Sequence, residues 1–396
     1  MAIDQSAAQR PGPVSPWDRI DGIDALRGIA LSGVLAINLV TEFRVSIFAQ
    51  FLAVGQPESA LDRAVEAFLM VAVDMKAFAL FSLLFGTGLA IQFERLAANP
   101  RRTVLLLRRL AVLLAIGLVH LFLIWNGDIL VEYALAGFVV LPFLFGSRWL
   151  LAAGSLFFLA LYLALPQLLP GWVFPDTRTM ARDVIEANQA YATGGFFEVL
   201  AFRIRELPLI LPLHIYVFPR TLGLFLCGAL AWRADVLRNP QASRRFLFSV
   251  GAAGIAVGFA LTLANAGGVF ANRFLAGSLG TICLALGYAG ALLGVSGGPA
   301  GRRWLGWAAP LGRMAFTNYL AQSIIFGWIF YGYGFGLFGR LGAATALSIG
   351  GVVYLGQVGF SAWWLRRYRY GPVEWLWRTL MYGVAQPMAV SARRVR

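Results

Sequence analysis

The chain has 396 residues, of which 59% are hydrophobic and only 13% charged, where an average soluble domain carries about 25% charge. With a mean hydropathy of +0.72 and repeated apolar runs of about 20 residues, this composition excludes an ordinary soluble protein and predicts a polytopic helical membrane protein. The net charge of +14 would suggest nucleic acid in a soluble protein. In a membrane protein it reflects arginines collecting in cytoplasmic loops, so no nucleic-acid partner is expected.

The lead, residues 1–18, carries Pro11, Pro13 and Pro16 and reads as a disordered cytoplasmic segment. It is not a signal peptide: the first apolar run follows Arg27, is of spanning length and ends in no small-residue cleavage pattern. About ten spans follow, near 25–43, 66–93, 104–125, 128–146, 148–168, 208–232, 246–266, 272–296, 311–332 and 341–365, forming one transmembrane domain over 19–365. Arg95, Arg101 and Arg102 follow the second span, Arg233, Arg238, Arg244 and Arg245 the sixth, Arg302 and Arg303 the eighth, and Arg366, Arg367, Arg369 and Arg378 the last. Placing both termini in the cytoplasm satisfies this bias.

The sizeable outer loop, about 169–207, contains a stretch from Thr177 to Tyr191 that suits an amphipathic helix. Residues 366–383 suit a cytoplasmic interfacial helix, with Gly371 and Pro372 at its start and Trp375 and Trp377 at headgroup level; a basic tail, 384–396, ends the chain. Cys227 and Cys283 both fall inside apolar runs and read as small core residues, and no metal-binding pattern is present in the sequence.

Ionisable groups at membrane depth cost roughly 2.5 to 3.5 kcal/mol each on insertion scales, so they are candidates for function. The stretch from Val104 onward is the richest: Arg108 and Arg109 near its start, His120 near its end, then an Asn126-Gly127 turn, Asp128 and Glu132. At 1.5 Å of rise per residue, Asn38, Asp74, Lys76, His120, Glu132 and His214 fall in a similar outer-half layer, with Arg220 near the midplane. Each has a simpler reading. Asp128 suits a helix cap, Asp24 and Arg27 an end-of-helix pair, and Asn318 and Gln322 a polar bridge between helices. His214 lies between Pro212 and Pro219 in a span expected to kink. Asp74 and Lys76, two residues apart on one helix, would point away from each other and need partners elsewhere.

Five stretches together resemble one family. IDALRGIALSGVLAIN (23–38), DMKAFALFSLLFGTGLAI (74–91), GLVHLFLIWNGDILVEYAL (117–135), LGRMAFTNYLAQSIIF (311–326) and YGPVEWLWRTLMYG (370–383) look like the bacterial YeiB-like membrane proteins. The opening Asp24, Arg27 and Gly28 are similar to the Asp-x-x-Arg-Gly start of two groups of membrane acyltransferases, the OafA-type enzymes of cell-surface glycans and the heparan-α-glucosaminide N-acetyltransferases. The OafA-type pattern has a histidine eleven positions after that arginine; this chain has Asn38 there, as the heparan-type enzymes do, but no histidine in residues 39–65.

The resemblance implies an acyltransferase of the bacterial inner membrane that takes its acyl group from cytoplasmic acyl-CoA, with acetyl-CoA the expected donor. The acceptor would be a hydroxyl or amine of a glycan, lipid or small molecule at the outer side. His120 is the expected general base, oriented by Asp128 or Glu132; Asn38 and Lys76 are expected to donate to the oxyanion, with Asp74 in the same catalytic group. Arg27, Arg108 and Arg109 are expected to hold the coenzyme phosphates. His214, Arg220, Asn318 and Gln322 are expected to contact the acceptor. Membrane lipids and a second copy of the chain are the expected partners. The rival reading is a proton-coupled transporter or exporter, in which Asp74, His120, Asp128 and Glu132 relay protons and Arg220 binds an anion; a non-catalytic scaffold would leave the buried charges without a role.

Overall fold

The computed structural model describes residues 21–52, 59–270 and 272–390; the lead at 1–18 and the end of the basic tail lie outside them. Among the described residues there is no strand, only an isolated bridge between Tyr368 and Ala389. This is what a chain surrounded by hydrocarbon requires, since a helix satisfies its backbone hydrogen bonds internally.

Helix α1 (Asp21–Asn38) continues through a π turn at Leu39–Phe43. Helices α2 (Ala60–Ala72) and α3 (Lys76–Arg95) are separated by a break at which Met75 takes φ 59°. Helix α4 (Arg102–Val119) also ends in a π turn, His120–Ile124, and α5 (Leu130–Val140) in a 3-10 turn, Leu141–Phe145. Then come α6 (Arg148–Leu168), α7 (Thr177–Thr193) and α8 (Phe196–Arg233). Helices α9 (Arg244–Ala266), α10 (Arg273–Ser296), α11 (Pro299–Leu305) and α12 (Ala309–Arg313) follow, and α13 (Ala315–Phe330), α14 (Ala343–Trp364) and α15 (Pro372–Tyr382) close the chain.

Among the described residues eight helical segments are long and apolar enough to cross a membrane. The other two expected spans are shorter. The fourth, Leu130–Phe145, has 16 residues, and α13 has 16 because the run breaks at Met314. At 1.5 Å per residue each spans about 24 Å, less than a hydrocarbon core of about 30 Å. The sixth span begins at Phe196, twelve residues before its expected start, and its helix of 38 residues is longer than a bilayer is thick. Its prolines, Pro208, Pro212 and Pro219, are accommodated inside the helix.

The chain's loops gather at two ends. At one, Arg233 donates to the Gly146 carbonyl at 2.7 Å, Trp232 to Glu94 at 2.8 Å and Trp377 to the Arg109 carbonyl at 2.8 Å. At the other, Gly332 N–H bonds the Tyr191 carbonyl at 2.7 Å, Gly339 N–H the Arg44 carbonyl at 2.8 Å, and Ala344 N–H the Asp62 carboxylate at 2.9 Å. The first end carries the arginine-rich loops.

Helices α1, α8 and α10 are the most buried of the spans, whereas α6, α9 and α14 turn apolar side chains such as Phe157, Val257 and Val352 outward, as lipid contact demands. Because lipid tails are as apolar as leucine, packing rather than hydrophobic exclusion holds such helices together. Its closest point is the crossing of α1 and α12. A Cβ on Gly28 would lie 2.2 Å from the Ala308 carbonyl oxygen, and one on Gly312 would lie 1.8 Å from that of Asp24. Backbone meets backbone here, so neither position has room for a side chain. Gly312→Val is expected to lower the midpoint of thermal unfolding in detergent by several degrees, an overpacking cost of about 1–3 kcal/mol. A melt like that of the wild type would show the crossing to be pliable.

Candidate functional site

The π turn at the end of α4 carries His120 to the interior of the bundle, where its side chain is wholly buried. Such turns, with one residue more than an α turn, redirect side chains and recur at functional sites. Asp128 follows the Asn126-Gly127 turn, and one of its oxygens lies 2.7 Å from His120 Nδ1 while the other accepts the Val131 N–H at 2.7 Å. It is therefore both the cap of α5 and the partner of the histidine. On the far side of the ring, His120 Nε2 lies 2.9 Å from the Ser323 hydroxyl of α13. A carboxylate only accepts, so Nδ1 carries the hydrogen and Nε2 accepts from the serine. All three groups are buried. A carboxylate, an imidazole and a hydroxyl thus stand in hydrogen-bonded sequence, the relation of orienter, base and nucleophile in acyl-transfer enzymes. Aromatic rings enclose them: the Tyr319 centroid is 5.2 Å and the Trp125 centroid 6.2 Å from that of His120, and Trp125 stacks on Phe43 at 4.5 Å.

Glu132, expected as an alternative orienter, does not contact His120. It accepts from Thr221 and faces His214 Nδ1 at 3.3 Å. The reason is local: α5 begins at Leu130, so Asp128 lies in the preceding turn and the two carboxylates diverge. Asp74 and Lys76, expected to point apart along one helix, instead flank the break at Met75 and are electrostatic neighbours, with Arg220 also in the field of Asp74. The Lys76 ammonium donates to the Met70 carbonyl at 2.8 Å. Glu42, which sequence reasoning missed, joins this second group through His214 and Asp74. Asn38 Oδ1 and two guanidinium nitrogens of Arg220, Nε and Nη1, are buried without hydrogen-bond partners.

Asn318 and Gln322 form the polar bridge between helices. Asn318 donates to Ser361 at 3.0 Å and Gln322 to Gln357 at 2.8 Å, while Gln357 donates to the Asn318 carbonyl at 3.0 Å. These bonds tie α13 to α14 and so fix the helix that carries Ser323. The partner of His120 was missed in the sequence because a lone serine in an apolar helix reads as a packing residue.

At the arginine-rich end a cavity of about 570 Å³ runs into the bundle. Six arginines line it: Arg27, Arg95, Arg109, Arg313, Arg369 and Arg378, with Asp24 and Glu374 the acidic residues. Leu31, Val34, Leu113 and Leu130 form its apolar wall, and Tyr133 and Tyr319 also border it. Arg27 is held by Asp24 at 3.1 Å and by the Leu84 carbonyl at 3.3 Å, and Arg109 lies 4.6 Å from the Trp377 ring centroid. Arg108 is not part of the lining; it is turned to the surface and donates to the Leu380 carbonyl at 3.0 Å. Glu374, on α15, accepts the N–H groups of Phe316 and Thr317 at 2.9 and 3.1 Å and so caps α13; burial nonetheless pushes its carboxyl above the usual range. A smaller pocket of about 400 Å³, apolar apart from Ser323 and Tyr333, lies on the opposite side of His120's partner, between Leu123, Phe196, Ile324 and Trp328. Among the described residues no group of histidine, cysteine, aspartate or glutamate is arranged to hold a metal ion.

The architecture and these buried groups define an all-helical, multi-pass membrane protein. Residues 231–384 match the family described as Protein of unknown function (DUF418). Over nearly its whole length the chain is similar to Uncharacterized protein YxaH of Bacillus subtilis, at 33% identity over 96% of this chain and 98% of the relative. Uncharacterized protein YeiB of Escherichia coli is 29% identical over 94% and 98% respectively. The chain belongs to this YeiB-like DUF418 family. No solved structure matches it.

Outside the spans, Asp183 of α7 is buried beside Glu206 and Glu186, and burial pushes its carboxyl up to about 6. An acid whose pKa is raised on folding contributes stability below its unfolded value, lost as pH rises through the folded one. Between pH 4 and about 6 the protein is therefore expected to lose stability with rising pH through this group. Asp183→Asn is expected to raise the melting temperature at pH 7.5 and to flatten its dependence over that window. An unchanged pH profile of melting in the variant would remove Asp183 as the cause.

Proposed function

We propose that this protein is an acyltransferase of the bacterial cytoplasmic membrane, moving an acyl group from cytoplasmic acyl-CoA to a hydroxyl or amine presented from the other side. The observation that carries the reading is the alignment of a polyanion-suited cavity with a base. The cavity is lined by six arginines and borders Tyr319, whose ring packs against His120. Guanidinium groups bind phosphates through paired, charge-assisted hydrogen bonds, and the apolar wall beyond them suits a thioester-bearing arm. A cytoplasmic arginine-rich end, as the charge bias of the loops favours, supports the coenzyme A reading of this cavity. The bacterial origin of the relatives supports the location.

In this reading His120 Nε2 takes the proton of the attacking hydroxyl while Asp128 holds the ring and stabilises the imidazolium. The residues assigned to coenzyme phosphates are Arg27 and Arg109, joined by Arg313; Arg108, outside the lining, is replaced. A transport reading draws on the second polar group, Glu42, Asp74, Glu132, His214 and Arg220, which has the makings of a proton path. Proton-coupled uptake indifferent to acyl-CoA would favour it.

Two measurements separate these possibilities. With the protein in lipid nanodiscs, Arg109→Met and Arg313→Met are each expected to weaken coenzyme A binding by about 10- to 100-fold, the loss of a hydrogen bond to a charged group. Arg108→Met is expected to leave it unchanged. His120→Ala should retain binding and lose transfer of label from acetyl-CoA by about 10²- to 10⁴-fold. Equal binding by all three arginine variants, or undiminished transfer by the histidine variant, would reject the assignment.

A further inference from the structure

Ser323 is the residue that acyl-transfer chemistry at His120 leaves unexplained. Its hydroxyl is 2.9 Å from Nε2, the nitrogen that must act as base, and its alternative acceptor, the Tyr319 carbonyl, is at 3.4 Å. A general base that serves an external acceptor directly has no need of an internal hydroxyl on the same nitrogen. Ser323 also occupies a boundary. Tyr319, one helical turn before it on α13, borders the arginine-lined cavity, whereas Ser323 borders the apolar pocket on the other side.

We propose that Ser323 is the nucleophile and carries the acyl group as a covalent ester between donor and acceptor. The proposal rests on the acyl-CoA reading above. Ser323 Oγ gives its proton to His120 Nε2 and attacks the thioester carbonyl carbon. The C–S bond breaks, an O-acyl serine forms, and the coenzyme leaves as a thiol with the proton returned by the imidazolium. In the second half the acceptor hydroxyl or amine gives its proton to Nε2 and attacks the ester carbonyl. The serine Oγ leaves and regains that proton, so the cycle closes with no oxidant, reductant or further reactant. Asp128 is the positioning residue throughout, because its bond to Nδ1 fixes which nitrogen is the base.

An acyl-serine cycle needs a donor for the oxyanion, and one stands in the same pocket. The Tyr333 hydroxyl accepts from Arg203 at 3.5 Å, which leaves its own hydrogen free to donate. It lies where a Cβ on Gly327 would be 2.7 Å away, and Gly327 is one turn beyond Ser323 on α13. The glycine makes room for the hydroxyl against α13, in the pocket that Ser323 also lines. The thioester reaches Ser323 past the Tyr319 ring, whose hydroxyl donates to the Gly127 carbonyl at 3.3 Å and meets the Ile129 backbone.

The test is trapping. Full-length protein in nanodiscs is mixed with radiolabelled acetyl-CoA or octanoyl-CoA without acceptor, denatured in acid, and the label is counted and mapped by peptide mass spectrometry. Wild type is expected to retain label on the peptide containing Ser323. Ser323→Ala is expected to retain none while still binding coenzyme A. Ser323→Cys is expected to be labelled through a bond that neutral hydroxylamine cleaves, whereas the serine ester survives that treatment. Tyr333→Phe should slow labelling by about 10²- to 10³-fold without weakening coenzyme A binding. Label on another residue, or transfer by Ser323→Ala at the wild-type rate, would overturn the nucleophile while leaving the acyltransferase reading intact. Acyl-CoA neither bound nor consumed by the wild type would overturn both.

Discussion

One carboxyl group links two helices and one ring nitrogen. Asp128 accepts the Val131 N–H, in the first turn of α5, with one oxygen and the imidazole of His120, at the end of α4, with the other. In an apolar surrounding neither the helix end nor the histidine could be left without a partner, because an unpaired buried polar group costs about 1–3 kcal/mol. A single residue meets both needs, and in doing so fixes the tautomer that points a basic nitrogen at α13. The α13–α14 bonds through Asn318, Gln322, Gln357 and Ser361 then fix the helix that receives it. The buried array is therefore held from three elements, none of which can turn without breaking one of these bonds.

The two polar regions of the bundle differ in character. Around His120 every group has a defined partner and the neighbours are aromatic. The region around Glu132, His214, Asp74 and Arg220 is looser: the Glu132–His214 contact is 3.3 Å, and Arg220 keeps two buried nitrogens without partners. The first arrangement suits a fixed proton transfer, and the second suits groups that change partners. Their adjacency, through Glu132 following Asp128 by one turn, allows protonation in one to be felt in the other. The arginine-lined cavity borders Ile129 and Tyr319 beside the first and none of the charged groups of the second.

Much of the fold was legible because apolar length and arginine bias are averaged over many residues. All ten expected spans correspond to helical segments, eight of them of full spanning length. His120 and Asp128 were legible because a histidine and a carboxylate stand out in an apolar run. What escaped depended on local breaks that carry no breaker residue. Nothing in Val73-Asp74-Met75 announces a left-handed turn, so the relation of Asp74 to Lys76 was misjudged. The sequence left Asp128 and Glu132 as alternatives beside His120, because one turn of spacing does not show which carboxylate faces which histidine. Ser323, Glu42 and Arg313 carry no isolated signal: a serine bonds its own helix backbone, and an arginine near a span end looks like ordinary topology marking.

The two π turns, at Leu39–Phe43 and His120–Ile124, end their helices side by side, with Phe43 and Trp125 stacked between them. Each turn holds one residue more than an α turn, and in an α-helix one residue advances the phase by 100°. The membrane-buried stems of α1 and α4 are thereby uncoupled in rotation from the loops that follow. Arg27 and Arg109 keep their aim into the cavity while Glu42 and Trp125 are aimed independently. Loss of a single residue from either turn would restore an ordinary α-helix and swing everything after it by more than a quarter of a revolution. Chain length at these two places therefore matters to the aim of every residue beyond them.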